Sequence, residues 1–174
     1  FVYTVSKTGC SPESKTFQIP VIRDSAKIVL TLDISGSMNS NVVGSSQKRI
    51  DALKTAVNAF IPKLEEFQKE GDSLGLTYFS SMVYQPSSTY FDKEFINITN
   101  NDEPVAANYA SYKVFNDLSA RNPMQMTAMG SGLIDAKNKL LKYNTPGSNT
   151  KKMVFLFTDG LQNHGSLVNT DGNS

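Results

Sequence analysis

Apolar and polar positions along the chain follow two rhythms. Residues 27–33, Lys-Ile-Val-Leu-Thr-Leu-Asp, are nearly all apolar or β-branched and end in an acid. That is the pattern of a central strand buried on both faces. In residues 46–68 the apolar side chains Ile50, Leu53, Val57, Phe60, Ile61, Leu64 and Phe67 recur mostly three or four positions apart, which predicts a helix with one face on a core. Pro62 should kink this helix and Gly71 should stop it. Residues 74–79 then read as a second strand. Strand, helix and strand in that order make a right-handed crossover, so the two strands are expected to be parallel.

Weaker signals follow. Residues 82–85 and 89–91 suit a short edge strand or hairpin, and the polar, Asn- and Tyr-rich stretch 96–125 has room for a helix near 105–118. Helical period returns over 129–142 through Leu133, Ala136, Leu140 and Leu141, with Thr145-Pro146-Gly147 as its stop. Residues 151–160 repeat the design of the first strand, apolar until Asp159 and Gly160. Ahead of all this, residues 1–5 and 16–22 alternate around a Gly, Ser and Pro cluster and read as a hairpin or the end of a preceding β-rich module. The chain thus divides into a leading β segment, 1–23, and an α/β domain, 24–174. Its expected fold is a doubly wound, mostly parallel sheet with helices on both faces.

Charge narrows the function. Against 17 Lys and Arg stand 16 Asp and Glu in 174 residues, a formal charge of +1, which provides no electrostatic footprint for nucleic acid or an anionic membrane. No stretch approaches the roughly 18 apolar residues of a membrane-spanning helix. Phe1 stands where a start methionine would, so an upstream segment is expected to have been removed or left out. Cys10 is alone, which excludes an internal disulfide, a multi-cysteine zinc site and a redox pair. A metal would have to be held by oxygen. His164 is also alone, a thin basis for a Ser-His-Asp triad. The lysines at 137–142 and 151–152 read as solvated element ends.

The candidate chemistry lies where the two apolar strands end, at Asp33 and Asp159. Ligands of open α/β sheets bind outside the carboxyl ends of strands. Asp33-Ile34-Ser35-Gly36-Ser37 places three short oxygen-bearing side chains at alternate residues, aimed the same way by an extended loop, with Gly36 allowing a tight turn. The hydroxyl of Thr127, just before the third helix, and the carboxylate of Asp159 complete a set of two charges and three neutral oxygens. Such hard donors suit Mg²⁺, Mn²⁺ or Ca²⁺. Two carboxylates neutralise a divalent ion formally, the hydroxyls donate weakly, and the ion remains electrophilic toward an anionic ligand.

Asp33-x-Ser35-x-Ser37, the later Thr127 and Thr158-Asp159-Gly160 at the end of an apolar strand resemble the metal-ion-dependent adhesion site of von Willebrand factor type A domains, over about residues 24–165. The resemblance implies that Asp33, Ser35, Ser37, Thr127 and Asp159 coordinate the ion directly or through water. It also implies that a protein ligand presenting Asp or Glu binds on this face. Family members commonly carry glycines before the threonine, where this chain has Gln125-Met126, so Ser131 is the alternative third-loop ligand. The family's sheet usually has six strands, and this sequence holds four of them. The open edge is expected to be filled by further chain, by another polypeptide or by residues 1–23, since an unpaired apolar edge invites aggregation. Residues 49–56 and 74–81 look most like bacterial surface and pilus-associated members.

Enzymatic alternatives fare poorly. Phosphoaspartate-forming phosphatases carry a second aspartate where this chain has Ser35, and residues 34–38 lack the flanking glycines of a nucleophile elbow. The expected protein is therefore an extracellular or cell-surface binding module and not an enzyme. Its first alternative is a structural subunit of a pilus or surface layer in which the ion mainly stiffens the rim. A second is an intracellular partner of an ATP-driven remodelling machine. Tyr84, Tyr90, Tyr109 and Tyr112 flank the polar segment, with at least two expected in core or edge packing.

Overall fold

The computed structural model describes residues 24–98, 109–143, 149–160, 163 and 164, together with the backbone of two strands, β1 (Val2–Val5) and β2 (Glu13–Thr16). Five further strands follow, β3 (Ala26–Asp33), β4 (Ser73–Phe79), β5 (Val83–Tyr84), β6 (Ile96–Asn97) and β7 (Lys151–Phe157), with three helices, α1 (Arg49–Glu66), α2 (Tyr109–Ser119) and α3 (Met129–Lys142). The main sheet runs β5-β4-β3-β7, and β6 pairs with the start of β4. β3 is parallel to both β4 and β7, whereas the two-residue strands β5 and β6 lie antiparallel on β4. The parallel crossover anticipated through α1 is present.

Alternation along β3 divides the interior in two. Ile28, Leu30 and Leu32 join Leu74, Leu76 and Tyr78 of β4 in the larger core, closed by Ile50, Leu53, Val57 and Ile61 of α1 and by Ala110, Val114 and Leu118 of α2. On the other face Val29 packs with Ala136 and Leu140 of α3. There α3 comes so near the sheet that a Cβ on Gly132 would lie 2.8 Å from the Phe79 ring and 3.1 Å from Thr31 Cγ2. Helices on both faces of a mainly parallel sheet are what the sequence pattern anticipates. The boundaries of α3 coincide with the expected 129–142; its proposed Thr-Pro-Gly stop and Cys10 lie outside the described residues.

Several details differ from the expectation. α1, which contains Pro62, ends at Glu66, so Gly71 at φ +87° does not stop the helix but serves the turn into β4, five residues later. Of residues 89–91, Thr89 and Tyr90 lie in a turn, and none of the three is in a strand. β6 pairs where only polar sequence was evident. A leading hairpin is present, its described second strand being Glu13–Thr16, while residues 17–22 of the expected run lie outside the described residues; among the described residues β1 and β2 pair with each other in a separate two-stranded sheet. They do not occupy the free edge of β7.

Burial produces two larger corrections. β7 shares the composition of β3 yet is only half covered, with Met153, Val154 and Leu156 36–38% exposed. It is the outer strand of the sheet among the described residues; on one face the Phe60 ring of α1 lies 4.9 Å from Phe155 and 6.0 Å from Phe157, and α3 also packs against the strand. Lys139, in the run read as solvated, is buried. Its ammonium donates to Leu76 O at 2.5 Å and Thr77 Oγ1 at 2.9 Å and lies 3.1 Å from Asp135 Oδ2. Helical period turns this lysine toward the sheet, and its partners make burial tolerable. Tyr84 and Tyr90 pack against the larger core, as expected for two of the tyrosines.

Candidate metal centre

The carboxyl ends of β3 and β7 build the centre. Leu32 is in register with Phe157, so the residues that follow, Asp33 and Thr158, emerge side by side. Thr158 donates its hydroxyl to Asp33 Oδ2 at 2.6 Å, and the Ser35 amide donates to Asp33 Oδ1 at 2.8 Å. The second contact is an i to i+2 bond, the local turn that Asp favours at a strand end. Asp33 is fully buried. Among the described residues it has no ion pair; its two oxygens meet only neutral donors.

Beyond Ser35 the chain enters a 3-10 turn, Gly36–Asn39. Ser35 Oγ and Ser37 Oγ lie 3.0 Å apart, and Ser37 donates to Asp159 Oδ1 at 2.9 Å. Asp33, Ser35, Ser37 and Asp159 are therefore joined through short contacts, the first three from the alternate spacing and Asp159 through the neighbouring strand end. Gly36 opens the tight turn expected of it, at a negative φ, since among the described glycines only Gly44 and Gly71 have positive φ. Its missing side chain makes room for the Gln125 carbonyl, which accepts the Gly36 amide at 2.8 Å and would stand 2.8 Å from a Cβ there.

That contact brings in the segment before α3. Met124 N donates to Ile34 O at 2.8 Å, and Ala128 N to Ser80 O at 2.6 Å. Gln125 adopts φ +53°, the left-handed region, at a place where the resembled family commonly has glycine. Its side chain amide oxygen accepts the Ser81 hydroxyl. Thr127 is buried, and its backbone is tied to the loop after β7: its amide donates to Asn163 Oδ1 at 2.8 Å, and its carbonyl accepts the amides of Asn163 and His164, each at 3.1 Å. Among the described residues no hydrogen bond joins the Thr127 hydroxyl to the serine and aspartate chain. Ser131 lies inside the first turn of α3 and is half-buried. His164 is exposed.

Two participants, Asn163 and Arg49, escaped the sequence reading, and a third was seen only in part. Thr158 was visible only as part of a motif, and its role follows from strand register. Asn163 lies in a polar loop with no periodicity to mark it. Arg49, the first residue of α1, places Nη1 2.5 Å from Asp159 Oδ2. No spacing rule connects it to a residue 110 positions away. Beside this pair lies a cavity of about 400 Å³ between α1 and β7, lined by Met38, Val42, Leu53 and Phe157 together with Arg49 and Asp159 themselves.

The donor set is consistent with a hard divalent ion. Every candidate ligand brought together offers oxygen, Arg49 being the one cation beside them among the described residues, and a fully buried carboxylate facing only neutral donors is a costly arrangement that a cation would relieve. No group of three or more His, Cys, Asp or Glu occurs among the described residues, so an ion here would depend on hydroxyls and water as well as the two carboxylates.

A profile of the von Willebrand factor type A domain matches residues 28–162, and the chain belongs to that family. Solved structures with the same fold include the PilB minor pilin from Streptococcus sanguinis, at 23% identity and TM-score 0.57, covering 82% of this chain and 31% of that one. Another is the vWF domain of the type V pili tip protein Mfa5 from Porphyromonas gingivalis, at 18% identity and TM-score 0.58, covering 82% and 40% respectively. The pilus adhesin SpaC from Lactobacillus rhamnosus GG aligns at 23% identity and TM-score 0.57 over 92% of this chain and 19% of that one. The chain thus spans less than half of each. No curated protein matches it. No described helix is long and apolar enough to cross a membrane.

Proposed function

We propose that residues 24–174 form a divalent-cation-dependent protein-binding module at the cell surface, in which Asp33, Ser35, Ser37, Thr127 and Asp159 hold Mg²⁺, Mn²⁺ or Ca²⁺ and an Asp or Glu of a partner protein completes the shell. The observation that carries this is Asp33: a fully buried carboxylate without a cationic partner among the described residues, linked through Ser35 and Ser37 to a second carboxylate. Two carboxylates balance the ion, and neutral hydroxyls leave it able to attract an anion. The serine at the second motif position supports binding rather than phosphoryl transfer, so no catalytic role is assigned. Similarity to a minor pilin, a pilus tip protein and a pilus adhesin supports a pilus-associated, extracellular setting.

The test is titration calorimetry with Mg²⁺ and Mn²⁺. Asp33→Ala should abolish the binding heat while circular dichroism remains native; undiminished affinity would sink the assignment. One observation favours a second reading. The half-exposed apolar β7 suits a subunit built into a polymer, the ion mainly stiffening the rim. Light scattering with and without EDTA separates the two, since loss of oligomer with the ion would favour assembly.

A further inference from the structure

Arg49 occupies a position that helix physics does not explain. It opens α1 directly after Lys48, with Asp51 the only acid in the first turn. Cations are disfavoured at a helix N-terminus by the macrodipole. Its guanidinium instead reaches Asp159 Oδ2, while Ser37 occupies Asp159 Oδ1. The ion pair is well shielded on the carboxylate side, with the side chains 32% and 10% exposed. Both oxygens of the outer candidate ligand are therefore engaged, and one of them by a positive charge.

We infer that Arg49 is a tethered competitor for the divalent ion, holding Asp159 in place of a metal charge and thereby weakening cation affinity at this centre. The inference rests on the metal reading above. Asp33, Asp159 and Arg49 sum to one negative charge; a divalent ion added beside Arg49 leaves the rim at plus one, whereas without Arg49 it would be neutral. Arg49 thus trades affinity for the ion against affinity for an incoming carboxylate. It also spares the ion-free protein two carboxylates on one rim, linked through Ser35 and Ser37, with no cation nearby.

The experiment is titration of EDTA-stripped protein with Mn²⁺ alone, alongside melting curves with EDTA and with saturating Mn²⁺. Arg49→Gln should bind Mn²⁺ roughly tenfold more tightly than the wild type, the scale of one lost charge-assisted contact at a partly exposed site. Arg49→Lys, which keeps the charge, should stay within about threefold of the wild type on the same scale. The Gln variant should also melt lower in EDTA and gain more from Mn²⁺. If it does not fold, Arg49→Met keeps the stem that lines the neighbouring cavity and carries the same expectation. Equal or weaker Mn²⁺ binding by the charge-free variant, with heat still present in the wild type, overturns the role of Arg49 alone. Absence of heat in every protein overturns the metal reading and this inference with it.

Discussion

Thr158 and Asp33 are joined across two parallel strands by a hydroxyl-to-carboxylate hydrogen bond of 2.6 Å. The bond exists because β7 and β3 run in register to their last residues, so the position before the second carboxylate touches the first. Thr158→Val preserves the β-branched shape and removes the donor. Asp33 Oδ2 would then be left buried without a partner, a loss on the order of 1.5–3 kcal/mol for a bond to a charged group. Urea unfolding in EDTA should show that loss; an unchanged midpoint would mean that the hydroxyl does not support the carboxylate.

If the ion binds the folded state alone, saturating it should raise the melting temperature. At a hundred times the dissociation constant the linkage is about 2.7 kcal/mol, which for a domain of this size corresponds to roughly 5–10 °C. Calorimetric melts in EDTA and in excess Mg²⁺ or Mn²⁺ measure it. Asp33→Ala should remove the difference between the two curves.

Gly132 lets α3 lie against β3 and β4. Alanine there would place a methyl 2.8 Å from Phe79 and 3.1 Å from Thr31, both in the packed interior. Overpacking of this kind costs about 1–3 kcal/mol, offset by about 1 kcal/mol of helix propensity. Gly132→Ala should therefore be destabilising by up to about 2 kcal/mol. Because Thr127 immediately precedes α3, the shift should also weaken Mn²⁺ binding. Unaltered stability and affinity would show that the helix can withdraw freely.

Tyr78 provides an alkaline signature. Its hydroxyl is buried near Asp117 and, among the described residues, without a hydrogen bond of ordinary geometry, below an Arg121 guanidinium 4.5 Å from the ring centre. Burial, and then the Asp117 carboxylate, push its ionisation well above the ordinary phenol range. Above about pH 10 the unfolded chain loses this proton and the folded one keeps it, so stability is unaffected below that pH and falls as pH rises beyond it. Lys139 acts oppositely: burial lowers its affinity for a proton, Asp135 resisting the shift. Lys139 therefore adds stability as pH climbs from its lowered ionisation toward about 10.4. Tyr78→Phe should remove the alkaline decline and, by deleting a buried hydroxyl that lacks an ordinary hydrogen bond, leave neutral-pH stability equal or higher by about 1 kcal/mol. Denaturant titrations from pH 8 to 11.5 check both signs.

Local pattern was enough for the strand at β3, the helices α1 and α3, the parallel crossover and the alternate oxygen spacing from Asp33 to Ser37. Each depends on periods of two or between three and four residues, written into neighbouring positions. β6 was invisible because two residues carry no period, and Lys139 was misread because a run of lysines says nothing about which one turns toward the sheet. β7 shows the limit most clearly, since burial depends on what covers a strand and not on the strand's own composition.

The order of the chain alone set the family of folds, the acids at two strand ends and the kind of atom available to bind there, because periodicity and residue chemistry are local properties. Which of those atoms meet was decided only when strands 125 residues apart came into register and laid Thr158 beside Asp33. The placing of Arg49 against Asp159 and of Thr127 against the loop after β7 was settled in the same way. Contacts between distant segments depend on the packing of the whole sheet and its helices, and no interval in the linear chain encodes them.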